Sequence, residues 1–299
     1  MFVVITIPAY NEENTIPSVI EEIKLVMSKT KYKYKILVVD DGSVDKTIKV
    51  SEKAGAIVVS KRHSGLLETF KKEMEECLKL KADVIVHTDA DGQYPSEYIP
   101  HMIKEIEEGY DLVLGSRFKG EIESMPVLKW FGNVAFAKVF TQICKTEISD
   151  STTGFRAFRK EVAESIEYNT DFTYTQEQLI KASRLNFRIK EIPIYARKTR
   201  ESRLMTGAFD YALKAWINIF KIYRDYKPLA FFGKIGIMLL TLGMLVGLYI
   251  VYHILQYGGT GGTPRVVLTA LLILTGMQVV LFGFMADMKK WAVKIFMGK

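Results

Sequence analysis

The chain has 299 residues, room for one ordinary domain and a further module, and it carries a net charge of +7 with a calculated pI near 9.1. No aromatic-basic RNA-binding motif accompanies that charge, so nucleic acid is set aside in favour of an anionic membrane surface. Its two cysteines, Cys77 and Cys144, lie far apart with no metal-ligand spacing and read as ordinary buried thiols in a reducing compartment.

Met1 leads directly into the β-type run Phe2–Ile7 with no basic leader segment, so the first domain is expected to stay in the cytoplasm. Strand-like and helix-like segments then alternate. Glu13–Ser28 is a predicted helix, Tyr34–Val39 a strand, Lys46–Ala54 a helix, Ala56–Ser60 a short strand and Gly65–Leu80 a helix. Val84–Thr88 is a strand, Pro95–Glu108 a helix and Asp111–Gly115 a further strand. This order predicts an α/β fold, a Rossmann-like, mostly parallel open sheet with helices on both faces.

Ligands of such sheets bind beyond the carboxyl ends of the strands. Three polar loops fall there: Pro8–Glu13, Asp40–Asp45 and Asp89–Gln93. The second loop alone also fits a helix-capping turn, with Ser43 or Asp45 as the cap. No G-x-G-x-x-G follows the first strand, which argues against a nicotinamide or flavin cofactor. In the third loop Asp89 and Asp91 flank Ala90 at the end of an apolar strand. Two such carboxylates offer hard oxygen ligands to one divalent cation and do not suit zinc, which prefers His and Cys. A solvated turn is the plainer alternative. A cation there would neutralise a diphosphate, which points to nucleotide chemistry rather than acid–base hydrolysis.

Val127–Ile143, with Lys129, Trp130, Phe131, Phe136, Lys138 and Phe140, reads either as a membrane-interface helix or as a core helix. Between Met205 and Tyr226 the apolar residues Phe209, Leu213, Trp216, Ile217, Phe220 and Tyr223 recur at helical spacing among Lys214, Lys221 and Arg224, the pattern of a helix lying in the membrane interface. Two long apolar runs follow, about 235–255 and 266–286, joined by the short Gly-rich link Gln256–Arg265. Each is long enough to span a bilayer as a helix. Lys221, Arg224, Lys227 and Lys234 precede the hairpin, Lys289, Lys290, Lys294 and Lys299 follow it, and Arg265 alone lies in the link, so both ends are expected in the cytoplasm. The expected organisation is a catalytic domain over 1–204, an interface helix over 205–228 and two transmembrane helices within 229–299.

Ile7-Pro8-Ala9-Tyr10-Asn11-Glu12-Glu13, then Val38-Val39-Asp40-Asp41-Gly42-Ser43-Val44-Asp45, then Asp89-Ala90-Asp91-Gly92-Gln93-Tyr94-Pro95 together resemble glycosyltransferase family 2. Gly115-Ser116-Arg117-Phe118 and Asp150-Ser151-Thr152-Thr153-Gly154-Phe155-Arg156 narrow the resemblance to the branch that makes polyprenyl-phosphate sugars. That resemblance implies a GT-A catalytic domain and a membrane-anchored, inverting transferase. Its donor would be a nucleotide sugar such as GDP-mannose or UDP-glucose, its acceptor a polyprenyl (dolichyl) phosphate, and its cofactor Mg2+ or Mn2+. It further implies that Pro8, Tyr10, Glu12 and Asp40 meet the nucleotide base and ribose, that Asp89, Ala90 and Asp91 form the metal motif with Gln93 beside it, and that Arg117 lies near the phosphates. Arg197 to Leu204 resembles the family's R-x-x-G-x-S-K-L loop, with Arg200 in place of Gly and Arg203 in place of Lys, so Arg197, Ser202 and Arg203 are the expected acceptor-phosphate residues. Glu177 matches an acidic position near the acceptor. A lipid monophosphate is already largely ionised at neutral pH, so Glu177 and Asp150 are expected to position rather than deprotonate. His63 and His87 are expected to be non-catalytic. Transfer to another lipid, and a catalytically silent membrane scaffold, are the alternatives.

Overall fold

The computed structural model of the protein describes residues 1–123, 127–168, 173–198, 217, 220, 221, 223–260 and 262–297, without the side chains of 127–129, 131 and 289–297. Two compact units divide the chain, Met1–Ala215 and Trp216–Lys299.

The first unit is built on a seven-stranded sheet. Its elements are β1 (Phe2–Ala9), α1 (Ile16–Met27), β2 (Lys33–Asp40), α2 (Thr47–Lys53), β3 (Ile57–Ser60), α3 (Leu66–Lys79), β4 (Val84–His87), α4 (Ile99–Glu107), β5 (Leu112–Ile122), α5 (Val127–Cys144), β6 (Arg156–Arg159), α6 (Lys160–Ser165), α7 (Tyr174–Arg184) and β7 (Ile189–Ala196). The strand order is β3-β2-β1-β4-β6-β5-β7. Val3, Val4, Ile5 and Ile7 of β1 are all fully buried, as expected of a central strand covered on both faces. In α1 the residues Ile16, Val19, Ile20, Ile23 and Met27 recur at three- and four-residue spacing and pack into the core, with Pro17 in the first turn where its missing N–H costs nothing.

The pairings β1–β2, β1–β4 and β2–β3 are parallel, as the sequence predicts, and β7, a strand the sequence analysis does not name, pairs parallel with β5. β6 is the departure, for it runs antiparallel to both β4 and β5. That reversal matters for the site. Arg156, the first residue of β6, pairs with His87, the last of β4, so the segment 150–155 opens onto the same sheet edge as Asp89. α5 buries Asn133, Phe136, Phe140 and Cys144, the spacing of a core helix, while Trp130 is exposed. Cys77 and Cys144 are both buried and neither is in a disulfide; burial pushes the Cys77 thiol well above the usual value, the property of an inert thiol.

In the second unit α8 (Pro228–Tyr257) and α9 (Thr263–Met297) pair as a hairpin. Both are long and apolar enough to cross a membrane by length and composition, and they extend beyond the apolar runs because helix does not stop where hydrophobicity does. Their seam is made by glycines. A Cβ at Gly236 would lie 2.7 Å from the Gly276 carbonyl oxygen, and one at Gly276 would lie 2.9 Å from that of Gly236. Small residues that admit close backbone approach are the usual basis of helix packing in lipid. Of the expected interface helix, 205–216, 218, 219 and 222 lie outside the described residues, and 217, 220, 221 and 223–226 are helical.

Candidate active site

The first two loops are knitted together beyond β1 and β2. The Asp41 N–H donates to the Ala9 carbonyl (2.9 Å), Asn11 N–H to Ser43 Oγ (2.9 Å), Val44 N–H to Asn11 Oδ1 (3.0 Å) and Glu12 N–H to Thr47 Oγ1 (2.8 Å). Pro8, next to last in β1, pairs opposite Val39. Glu12 is buried and its carboxylate accepts from Thr15 Oγ1 (2.9 Å). Asp40 is also fully buried, and its carboxylate accepts from the N–H groups of Gly42 (3.1 Å) and Ser43 (3.1 Å) and from Ser60 Oγ (2.8 Å). Asp40 therefore shapes its own loop.

Tyr10 projects from this base, 40% exposed, with its ring stacked on His63 at 4.4 Å between centroids. Gly42 has φ +76, and a Cβ there would lie 2.8 Å from the His63 backbone nitrogen, so glycine is required on two counts. Asp41 ties in the loop between β3 and α3, through Lys61 and the N–H groups of Ser64 (3.0 Å) and Gly65 (2.9 Å). Burial raises the Asp41 pKa, but these bonds outweigh it and hold the carboxyl below its ordinary value.

At the end of β4, Ala90 is buried and fixes the turn while Asp89 and Asp91 are only partly so. The Gln93 N–H donates to Asp91 Oδ1 (3.0 Å), so Gln93 supports the motif through its main chain. Both Asp89 oxygens lie 3.0 Å from where a Cβ on Gly154 would stand, so glycine at 154 lets the carboxylate settle against the loop before β6. Burial pushes the Asp89 carboxyl up to about 6; His87 and Arg117 oppose the shift and Asp91 adds to it. Beneath it the buried His87 faces away, its Nδ1 on the Gly154 carbonyl (2.8 Å) and its Nε2 towards Glu73 (3.4 Å).

Arg117, at the edge beyond β5's pairing with β6, is a buried fork. Its Nε and Nη2 donate to Asp150 Oδ2 (2.7 Å) and Oδ1 (2.9 Å), and Nη2 also reaches Thr152 Oγ1 (2.9 Å). Burial opposes its charge, but Tyr94 and the carboxylates of Asp150 and Asp89 keep it firmly protonated. Asp150 is held in turn by Glu191 of β7, whose Oε1 accepts the Asp150 N–H (2.9 Å). Tyr94 stacks on Phe155 (5.3 Å) and receives the Gly154 N–H at 3.4 Å. Arg156 is fully buried, with Nε on the Thr153 carbonyl (2.9 Å) and Nη1 on the Thr175 carbonyl (2.7 Å) and Gln178 Oε1 (3.1 Å). It fastens the 151–153 segment to the first turn of α7.

Two expected site residues have other partners. Glu177 in α7 is fully buried and pairs with Lys181 (2.8 Å). Arg197, at the end of β7, forks onto Glu22 of α1 at 2.8 and 3.1 Å. Ser202 and Arg203 lie outside the described residues.

Asp89 and Asp91 present oxygen donors alone, and among the described residues no group of three or more His, Cys, Asp or Glu side chains converges as a complete metal cage. Two carboxylates with an incomplete shell suit a magnesium-like cation that takes further oxygens from phosphate and water.

Residues 4–167 match the family described as glycosyl transferase family 2. The chain belongs to that family. This family 2 transferase is 34% identical over 196 residues to the dolichyl-phosphate hexose transferase of Haloferax volcanii, covering 65% of this chain and 83% of the relative. It is 30% identical over 255 residues to the dolichol-phosphate mannosyltransferase of Pyrococcus furiosus, covering 79% of this chain and 69% of the relative. Among solved structures, glucosyl-3-phosphoglycerate synthase from Mycobacterium tuberculosis with Mn2+, UDP-glucose and phosphoglyceric acid superposes with a TM-score of 0.58 at 19% identity, covering 73% of this chain and 79% of that one. At that identity the likeness concerns the fold, which is GT-A. The transferase also uses residues that sequence reasoning did not single out: Glu191 and Glu22, each of which holds an expected site residue from a distant element.

Proposed function

We propose that this transferase moves a sugar from a nucleotide-sugar donor to a polyprenyl phosphate in the membrane, with inversion at the anomeric carbon. The observation that carries the reading is the meeting, at one sheet edge, of the Asp89–Asp91 motif with the Arg117–Asp150 pair. The activities of its relatives supply the acceptor class. Pro8, Tyr10 and Glu12 line the base and ribose, with Asp40 holding the loop that faces them. Asp89 and Asp91 hold a divalent cation, Mg2+ or Mn2+, which when bound supplies positive charge for the departing diphosphate. Arg117 adds a fixed positive charge in the same region. Its fork on Asp150 costs no reorganisation as charge develops. The acceptor oxygen is already anionic, so the protein needs to align the attack rather than remove a proton. Asp150 positions Arg117, and Glu177 supports α7. Ser202 and Arg203 of the basic loop meet the acceptor phosphate.

Residues 1–204 form the catalytic part in this reading, 205–228 an interface helix and 229–299 the anchor, with both ends cytoplasmic by the placement of lysine and arginine. The test is purified full-length protein in detergent with a panel of nucleotide sugars and a short polyprenyl phosphate. A lipid-linked sugar that disappears in Asp91→Ala is the expected product. A product formed only with a hydroxyl lipid would move the acceptor to another class, and no product from any donor would end the reading.

A further inference from the structure

The basic loop that follows β7 begins with an arginine whose partners, among the described residues, lie in the Asp89–Gln93 loop and on α1. The Arg197 N–H donates to the Gln93 carbonyl (3.0 Å), and its Nη1 reaches the Gly92 carbonyl (3.5 Å). Nη1 and Nη2 fork onto Oε2 (2.8 Å) and Oε1 (3.1 Å) of Glu22. Glu22 Oε1 also accepts the Ser96 N–H (2.8 Å). Ser96 is thus held by the Glu22 side chain of α1, Gly92 by the Arg197 side chain and Gln93 by the Arg197 main chain at the end of β7. Gln93 is held on both sides, since its N–H is already given to Asp91 Oδ1 (3.0 Å). Rotating the Gly92–Gln93 peptide would break the Gln93 N–H bond to Asp91 and the Arg197 Nη1 contact with the Gly92 carbonyl together. Gly92 sits at φ +74, a turn that needs outside support to keep one geometry. The neighbouring chain is pinned as well, with the Lys198 N–H on Glu123 Oε2 (2.6 Å) and the Glu123 N–H on the Ala196 carbonyl (3.1 Å).

We propose that Arg197 and Glu22 form a clamp that sets the metal-motif loop, so that Arg197 is a positioning residue acting on Asp91 rather than a ligand of the acceptor phosphate. The inference rests on the functional reading above for what Asp91 does, and on geometry alone for the clamp. Glu22 neutralises the guanidinium and occupies one fork edge, which leaves the phosphate-binding work to the cations further along the basic loop. Bonds to metal-motif main chain are what a positioning role needs, and an acceptor ligand has no use for them.

The test uses full-length protein in detergent as wild type, Glu22→Gln, Arg197→Gln and the double variant, with melting temperature followed in each. Amide hydrogen exchange is read first, on metal-free protein, for peptides covering 92–97. Both single variants should exchange faster there while β1 and β4 keep wild-type protection, and the double variant should add little, because the two residues share one interaction. Mn2+ affinity is then read by paramagnetic resonance with UDP or GDP present, and each single variant should weaken it about 10-fold. The KM for farnesyl phosphate should stay within about twofold of wild type, as for a residue outside the acceptor contact. Unchanged exchange in both variants overturns the clamp. Faster exchange with unchanged Mn2+ affinity overturns the positioning role. A raised acceptor KM in Arg197→Gln, with Glu22→Gln silent, returns Arg197 to the acceptor. A wild type that binds no Mn2+ with either nucleotide overturns the functional reading instead, and the exchange result then decides the clamp by itself.

Discussion

Arg156 is a fully buried cation with neutral partners, and replacing it by methionine isolates what those partners are worth. The guanidinium bonds to the Thr153 carbonyl (2.9 Å), the Thr175 carbonyl (2.7 Å) and Gln178 Oε1 (3.1 Å). Methionine fills much of the volume and offers no donor. Three buried acceptors then lose their partner, at about 1 kcal/mol each when the lower end of the usual penalty is taken. The cost of burying the charge disappears at the same time, which is why the lower end applies. The expected loss is about 3 kcal/mol, or about 6–12 °C in melting temperature for a domain of this size. Differential scanning fluorimetry of the full chain in detergent measures it. Arg156→Lys, which keeps the charge but cannot make the fork, should fall between the two. A drop below about 2 °C in Arg156→Met would refute the idea that this residue fastens the 151–153 segment to α7.

Gly154→Ala should weaken Mn2+ binding about 10-fold, measured by paramagnetic resonance, because the added methyl would stand 3.0 Å from both Asp89 oxygens. Arg117→Lys should lower kcat about 100-fold, since an ammonium cannot fork onto Asp150 and so places its charge loosely; a steady-state assay with saturating donor reads it. Asp41 has a carboxyl held below its ordinary value in the folded state, so the stability it contributes is present above about pH 4 and is lost as pH falls through the lowered value. Asp41→Asn should therefore melt earlier at neutral pH and show a flatter loss of melting temperature in acid than wild type.

How much was legible can be followed residue by residue. β1, β2 and β4 were readable because buried parallel strands are continuous apolar runs, and the loops after them announced themselves by Asp and Gly at the point where the run ends. The hairpin was readable for the same reason at greater length. β6 was not. Arg156–Arg159 is four residues with two arginines, and it becomes a strand only because β4 and β5 lie on either side of it. Asp40 was readable as important but not in its role, because a carboxylate in a polar loop looks the same whether it faces a ligand or its own backbone. Arg197 belonged by local pattern to a phosphate-binding loop, and its partner Glu22 stands 175 positions earlier on another element.

The amino-acid order by itself determined the class of fold, the family and the acidic Asp89–Asp91 motif at the end of β4. Those rest on hydrophobic periodicity and on short runs of chemistry that neighbours in the chain supply. Which strand turns antiparallel, which carboxylate holds Arg117 and which one captures Arg197 were decided only in three dimensions. Such pairings join residues far apart in sequence, and only the packing of helices on the sheet brings their charges within bonding distance.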